Sequence, residues 1–291
     1  MEKILEINNL NKSFQDFALK DISFSLEPGY IMGFIGPNGA GKSTTIKLIM
    51  NLLKKDSGEI KIFGKDHVRY EKEIKEDIGF VYDQNHFYDN LSITDMTKIL
   101  APFYKKWDQA RYLHYIEQFE LPKHRLIKEF SKGMVMKYSL AVALSHQARF
   151  IIMDEPTAGL DPIIRSELLD ILYEIIQDET ASILFSTHIT KDLDKIADYI
   201  TFINRGNMVF SRPKDEILES YRVVKGDKNI LTGAIRKKLI GLKEHGVGFE
   251  AMLATKDWDN SLQERVLIEP PNLEDIMIYT VREDRQNKID S

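Results

Sequence analysis

Two kinds of hydrophobic pattern run through most of the chain. Residues 4–7 and 22–26 alternate apolar and polar side chains, which predicts strands with one face in water. Residues 30–35, 150–153 and 183–185 are instead continuously apolar. Continuous runs of this length, separated by helical stretches, are typical of parallel strands that are buried on both faces. The pattern therefore predicts an α/β fold with a largely parallel core sheet.

Helical periodicity fills most of the intervals between these strands. The stretch from about residue 84 to 145 has this character, so we expect a helical subdomain inserted there. One buried helix face within it is predicted by apolar residues spaced three or four apart: Ile93, Met96, Leu100 and Phe103. Further helices are predicted at about 42–53, 108–119, 134–144 and 162–177, and further strands at 59–63, 78–82 and in a hairpin around 205–207.

A phosphate-binding pattern lies between the first apolar run and the helix that follows it. Residues 36–44 read Gly-Pro-Asn-Gly-Ala-Gly-Lys-Ser-Thr and match G-x-x-x-x-G-K-[ST]. Backbone N–H groups at a helix N-terminus bind phosphate, and glycines allow the close approach. Lys42 is expected to reach the β- and γ-phosphates, and the Ser43 hydroxyl to bind Mg²⁺. We therefore predict an ATP site that contains Asn38, Gly39, Gly41, Lys42, Ser43 and Thr44.

Two carboxylates, Asp154 and Glu155, directly follow the second apolar run. Ligands of α/β proteins bind at the carboxyl ends of parallel strands. Asp154 is therefore placed to hold Mg²⁺, and Glu155 to orient or deprotonate an attacking water molecule. A merely solvated strand end is the alternative, and the P-loop upstream favours the catalytic interpretation.

Composition sets further limits on the function. The 291 residues carry a net charge of −5, which gives no global electrostatic reason to bind nucleic acid. The absence of cysteine excludes disulfides, thiolate metal sites and a cysteine nucleophile. No apolar run approaches the roughly 18–20 residues that span a bilayer, and the charged N-terminus lacks a signal-peptide core. We therefore expect a cytoplasmic protein, for which any membrane role depends on a partner.

The run from residue 154 to 162, Asp-Glu-Pro-Thr-Ala-Gly-Leu-Asp-Pro, is similar to the Walker B motif and D-loop of the ATP-binding cassette (ABC) ATPases. Ser-Thr-His at 186–188 resembles the switch histidine of that family. The resemblance covers about residues 1–220, with the motifs in the family's order. It implies that His188 contacts the γ-phosphate and that Asp161 acts across a dimer interface. It also implies an antiparallel β subdomain beside the parallel core.

Two motifs depart from the family pattern. The signature, typically Leu-Ser-Gly-Gly-Gln, is Phe-Ser-Lys-Gly-Met at residues 130–134. Ser131 and Gly133 are retained at the start of a predicted helix, where they can offer donors to a γ-phosphate. At the glutamine of the Q-loop, register favours Asp83 as the Mg²⁺ ligand and side-chain chemistry favours Gln84.

An aromatic residue that stacks on adenine is also implied by the resemblance. Phe14 matches the family's pattern, and Phe17 is the alternative, although either ring could belong to the core. We favour Phe14, because an exposed ring stacks well on a base.

In the ABC family, two cassettes face each other head to tail, with each ATP between one copy's P-loop and the other's signature. Because this chain holds one cassette, the resemblance implies a second copy and a separate integral membrane permease subunit, at the cytoplasmic face of the membrane. The predicted docking surface is the aromatic-rich segment 80–88 with the helix from Thr94. The chain resembles ABC-2-type exporters, and more narrowly the phenol-soluble-modulin exporters, which implies transport of amphipathic or antimicrobial peptides. The alternative is a soluble ABC ATPase that drives assembly or remodelling of a non-membrane partner.

Periodicity weakens after about residue 221. We therefore predict a nucleotide-binding domain over residues 1–221 and a small C-terminal accessory domain over 222–291. One helix is predicted there, because Asn272 is a good N-cap before an acidic first turn. The sequence is equally consistent with packing of this helix against its own cassette and with packing against the partner cassette.

Overall fold

The computed structural model describes residues 2–82, 85–177, 181–258 and 265–289. Within these ranges the larger sheet has ten strands. They are β1 (Leu5–Ser13), β2 (Ala18–Leu26), β3 (Ile31–Ile35), β4 (Ser57–Ile62), β5 (Lys65–Asp66), β6 (Ile78–Val81), β7 (Phe150–Asp154), β8 (Ser182–Thr187), β9 (Tyr199–Asn204) and β10 (Asn207–Pro213). Their order is β5-β4-β1-β2-β10-β9-β3-β8-β7-β6.

The core of the molecule is the parallel half of this sheet. Strands β9, β3, β8, β7 and β6 pair in parallel, and every residue of β3 and β8 is buried. The register sets Ile35 beside Thr187 and Asp154 beside Ser186. The carboxyl ends of β3, β8 and β7 are therefore neighbours, and the segments that follow them meet at one edge. The predicted parallel core is confirmed.

Strands β1, β2, β4 and β5 form an antiparallel unit. Alternate residues of β2 are buried, as the sequence pattern predicts. A single parallel pairing, between Asn207 of β10 and Lys20 of β2, joins this unit to the core. The antiparallel β subdomain that the family resemblance implies is thus present.

Eight helices accompany the sheet over the described part of residues 2–220. They are α1 (Lys42–Ile49), α2 (Glu71–Glu76), α3 (Ile93–Leu100), α4 (Gln109–Gln118), α5 (Lys132–Ser145), α6 (Pro162–Gln177), α7 (Thr190–Ile196) and α8 (Lys214–Glu219). Helices α3–α5 lie between β6 and β7, where the inserted helical region is predicted. Ser92, Asp108 and Ser131 cap these three helices through their side-chain oxygens, which explains why the helices begin there.

The predicted apolar face of α3 is only partly right. Ile93 and Met96 are buried, but Phe103 is 74% exposed. Helix α3 ends at Leu100, and a short 3₁₀ turn that contains Pro102 follows it. A 3₁₀ turn winds more tightly than an α-helix, with three residues per turn, so the spacing of three and four no longer places Phe103 on the buried face.

The C-terminal part forms a second, antiparallel sheet and a long helix. The sheet has the order β12-β13-β11-β14. Its elements, with the helices, are β11 (Tyr221–Asp227), α9 (Gly233–Arg236), β12 (Leu239–Glu244), β13 (Gly248–Ala254), β14 (Val266–Glu269) and α10 (Leu273–Ile289). The division of the chain near residue 221 stays a prediction.

Helix α10 packs against its own chain. The Asn272 side chain accepts a hydrogen bond from the backbone of Asp275 at 2.9 Å, as the predicted N-cap requires. Leu273, Ile276 and Tyr279 are buried in the same hydrophobic cluster as the parallel sheet. Of the two packing arrangements that the sequence leaves open, the structure shows the one within the chain.

Candidate nucleotide-binding site

The P-loop connects β3 to α1 and depends on glycine at two positions. Gly41, directly before α1, has a left-handed φ of 114°, which L side chains rarely adopt. A Cβ atom on Gly36 would lie 2.2 Å from the carbonyl oxygen of Ile203. Since α1 begins immediately after Gly41, its first N–H groups are available to an anion at the loop.

Lys42 lies across this loop and reaches the end of β7. Its side chain is only 6% exposed, and Nζ donates a hydrogen bond to the Gly36 carbonyl at 2.7 Å. The same Nζ lies 3.3 Å from Oε1 of Glu155. A single buried cation therefore bridges the P-loop and the acidic end of β7.

Glu155 also contacts the predicted switch histidine. Its Oε2 lies 2.7 Å from Nδ1 of His188, and the His188 backbone N–H donates to the same oxygen at 3.4 Å. Glu155 has a φ of 50°, a conformation that costs energy outside glycine and is found at functional sites. The structure thus brings Lys42, Glu155 and His188 together, although the first and the last are 146 positions apart in the sequence.

Asp154 and Ser43 provide oxygen atoms of the kind that Mg²⁺ prefers. Asp154 pairs in register with Ser186, whose hydroxyl is buried without a hydrogen-bond partner among the described residues. No group of three or more potential metal-ligating side chains occurs in the described ranges. A Mg²⁺ ion completes its coordination with phosphates and water, so one carboxylate and one hydroxyl fit this ion. Burial, and then the negative charge of Asp154, raise the pKa of Tyr82.

The remaining predicted residues of the loop lie on its outer side. Asn38 and Gly39 are exposed at the loop, Ser43 is exposed on the first turn of α1, and Thr44 is half-buried beside it. Their positions leave the outer side of the loop open to a phosphate chain.

The signature residues lie at the start of α5 and contact the first turn of α6. The Ser131 hydroxyl accepts a hydrogen bond from the Met134 backbone at 3.2 Å. A Cβ atom on Gly133 would lie 2.4 Å from a methyl group of Ile164, so the two helices touch at this glycine. Among the described contacts, none joins Ser131 or Gly133 to the P-loop of the same chain. This separation agrees with a role for the signature at another copy's nucleotide.

The D-loop is held by contacts that sequence reasoning did not find. The Lys132 ammonium donates to the Ala158 carbonyl at 2.7 Å. Asp192, which is 2% exposed, accepts hydrogen bonds from Thr157 at 2.7 Å and from Arg165 at 2.5 Å. This buried carboxylate therefore connects the start of the D-loop, at Thr157, to helix α6, which follows the loop.

Asp161, at the end of the D-loop, is exposed and caps α6. It accepts hydrogen bonds from the backbones of Ile163 and Ile164 at 3.0 and 3.1 Å. The predicted role of Asp161 across a dimer interface needs an exposed position of this kind.

The two candidate adenine-stacking residues have different surroundings. Phe14 is 44% exposed, whereas Phe17 is half-buried and packs against the core. The Phe17 ring lies 2.9 Å from the position that a Cβ on Gly41 would occupy. Phe17 therefore supports the P-loop, and the open ring of Phe14 is the one available for stacking. Asp83 and Gln84, the two candidates for the Q-loop ligand, lie outside the described residues.

Comparisons with known proteins identify the family of the chain. The ABC transporter family model matches residues 19–158. The ABC transporter ATP-binding protein YtrB of Bacillus subtilis is 28% identical over 287 residues, which are 94% of this chain and 97% of that protein. The lantibiotic transport ATP-binding protein SrtF of Streptococcus pyogenes is 33% identical over 215 residues, which are 73% of this chain and 92% of that protein.

A solved structure of an ATP-binding subunit of an ABC transporter has a TM-score of 0.67 with this chain at 28% identity. The match covers 74% of this chain and 91% of that one. The fold, the site and the relatives lead to one conclusion: the chain belongs to the ABC transporter family, as one of its ATP-binding and ATP-hydrolysing subunits.

Proposed function

We propose that ATP hydrolysis at this site powers an exporter through a separate integral membrane subunit. The observation that carries the catalytic part is the contact of Glu155 with both Lys42 and His188 at the carboxyl ends of three core strands. Phosphoryl transfer needs positioning and charge stabilisation, and these three side chains can supply both.

Each group has a distinct task in this proposal. The loop N–H groups and Lys42 hold the β- and γ-phosphates. Ser43 and Asp154 would hold Mg²⁺, which when bound neutralises charge on the phosphate oxygens. Glu155 orients the attacking water and accepts its proton, because its two carboxylate oxygens lie between Lys42 and His188 at the end of β7. His188, oriented by Glu155, contacts the γ-phosphate.

The second nucleotide contact comes from another copy of the chain. Ser131 is exposed at the start of α5, Gly133 is buried against Ile164 two residues later, and no described contact joins either residue to its own P-loop, as a head-to-tail pair requires. ATP then bridges two surfaces, so binding closes the pair. Loss of the γ-phosphate removes contacts and lets the pair open.

The first prediction concerns a Glu155→Gln variant. Glutamine keeps the shape but cannot accept the proton, so ATP binds and turnover falls by roughly two to four orders of magnitude. We expect Glu155→Gln to form a stable dimer with Mg²⁺ and ATP, measured by light scattering, and to release phosphate slowly. Glu117→Gln, which changes an exposed glutamate on α4, is the matched control and should hydrolyse ATP at the normal rate. A Glu155→Gln chain that stays monomeric and turns over normally would refute the mechanism.

A cavity between the helical region and β6 supports docking of a membrane subunit. It has a volume of about 250 Å³, and its lining includes Phe80, Tyr82, Phe87, Tyr104 and His146. Burial lowers the pKa of His146 to about 4, so this imidazole is neutral near pH 7. A cleft lined mainly by aromatic and aliphatic side chains, with Lys75 as the one charged residue of its described lining, suits an apolar side chain of a partner. The described residues contain no helix that could span a bilayer, and we place the chain at the cytoplasmic face of the membrane through this contact.

The second prediction tests the membrane partner. The full chain, purified from detergent-solubilised membranes, should carry a multi-span protein with it. A Phe87→Asp variant, which puts a charge into the cleft, should lose that protein while it still binds ATP. Val247→Asp, at an 84% exposed site far along the chain, is the control. If only a soluble partner is recovered, the alternative of a soluble remodelling ATPase replaces the transporter.

An amphipathic or antimicrobial peptide is the proposed cargo. Its support is the resemblance to peptide-exporter ATPases, together with the lantibiotic transport role of the streptococcal relative. The cargo contacts belong to the membrane subunit.

A further inference from the structure

An apolar pocket lies between helix α10 and the P-loop. Its volume is about 370 Å³, and it is lined by Pro37 of the loop and by Met277, Ile278 and Val281 of the helix, with Arg282 and Arg285 at its edge. Engineered cavities of about 150 Å³ already bind benzene, so this pocket has room for a branched aliphatic side chain.

Helix α10 is fixed beside the P-loop. Its buried face holds Leu273 and Ile276 in the core, while Ile278, on the other side, is 42% exposed. Asp284 of α10 forms an ion pair, at 2.7 Å, with Arg205, which lies in the turn between β9 and β10. The next residue in that turn, Gly206, donates its N–H to the Ala40 carbonyl of the P-loop at 2.9 Å. The pocket is therefore a fixed part of the nucleotide-binding surface.

An exposed apolar side chain lies beside the signature, on the surface that faces the other copy's P-loop in the proposed dimer. Ile163, on the first turn of α6, is 71% exposed. Its neighbour Ile164 packs on Gly133 of the signature, and Lys132 is bonded to the D-loop. Ile163 is therefore held in a fixed position relative to the signature.

We propose that the partner subunit's Ile163 inserts into the pocket between α10 and the P-loop, and that this contact forms twice in a symmetric pair. The inference rests on the proposed head-to-tail dimer, in which the partner's signature covers this P-loop. Charge supports the pairing, because Asp161 is exposed two residues before Ile163, and Arg285 is exposed at the edge of the pocket. The C-terminal region thus forms part of the dimer contact.

Cross-linking tests this contact directly, because the chain contains no cysteine. Chains with Ile163→Cys are mixed with chains with Ile278→Cys, both in the Glu155→Gln background. Each chain has one cysteine, so a disulfide between positions 163 and 278 must join two chains. Oxidation should give at least about fivefold more of this mixed dimer with Mg²⁺ and ATP than without, because a disulfide forms only where the Cα atoms come within about 7 Å.

A matched control replaces Ile278→Cys by Val247→Cys, which is more exposed but lies in the turn between β12 and β13. This pair should give no ATP-dependent mixed dimer. In a second measurement, Ile163→Lys should raise the dimer dissociation constant about tenfold, since a lysine meets Arg285 and cannot fill an apolar pocket.

The outcomes separate this inference from the function on which it rests. If ATP produces a dimer by light scattering but the 163–278 pair does not cross-link and Ile163→Lys dimerises normally, the pocket contact is wrong and the head-to-tail pair survives. If ATP produces no dimer at all, both are wrong.

Discussion

Lys132 shows how one substitution in a motif can create a contact. At a position where the family's signature has glycine, its ammonium group reaches the carbonyl of Ala158 and joins the start of α5 to the D-loop. Glycine could not make this bond. The signature and the D-loop of this chain are therefore connected by a charged hydrogen bond, in addition to the packing of Gly133 on Ile164.

We expect Lys132→Met to lower the ATPase rate by roughly tenfold, because a hydrogen bond from a charged donor contributes about 1.5–3 kcal/mol and its loss frees the D-loop. The rate is measured with saturating ATP, and the KM for ATP should change less than the rate. Lys132→Arg, which keeps a charged donor, should recover part of the activity. The control is Lys128→Met, because the ammonium group of this nearby lysine donates to the Asn90 side chain and not to the D-loop. Normal turnover in Lys132→Met would show that the bond is dispensable.

At the scale of single residues, the sequence predicts a motif well when its members are contiguous. The P-loop and the Asp154–Glu155 pair lie where the pattern places them, since strand, turn and helix follow each other directly. The role of Asp192 could not be predicted from a contiguous motif. Its partners, Thr157 and Arg165, lie 35 and 27 residues upstream, and only the packing of α7 on α6 brings them together.

At the scale of elements, the hairpin of β9 and β10 has an unusual position. Gly206 in its turn donates to the P-loop at Ala40, and its carbonyl accepts the N–H of Lys20 from β2. A Cβ atom on Gly206 would lie 1.8 Å from the Ala18 carbonyl. One turn therefore connects the P-loop, the antiparallel unit and, through Arg205, helix α10.

We expect Gly206→Ala to be clearly more destabilising than Gly159→Ala. Both glycines have a φ near 74°, but the space around Gly159 is open. Left-handed backbone strain alone costs about 1–2 kcal/mol, and the backbone clash at Gly206 should add at least about 2 kcal/mol. Thermal unfolding measures the difference, which should be roughly 4–8 °C in Tm. Equal Tm values would mean that the turn moves away from β2 without cost.

At the scale of the whole molecule, the sequence predicts the order of the core elements because buried parallel strands have a distinct composition. The C-terminal strands are harder to predict from the sequence, since the short strands of the β11–β14 sheet mix buried and half-exposed positions. The packing of α10 on its own chain is also beyond a single-sequence argument. An amphipathic helix has the same pattern whichever apolar surface covers it.

The place of α10 in the main core has a consequence for how the protein is made. Leu273, Ile276 and Tyr279 pack in the same cluster as β3 and β8, yet a ribosome adds them only after every strand from β1 to β14. Domains fold as units once their chain is available. A nascent chain that already contains every nucleotide-binding motif therefore still lacks part of its core, and premature termination before residue 273 would leave apolar surface exposed. Such fragments would be substrates for chaperones and proteases rather than competitors for the membrane subunit.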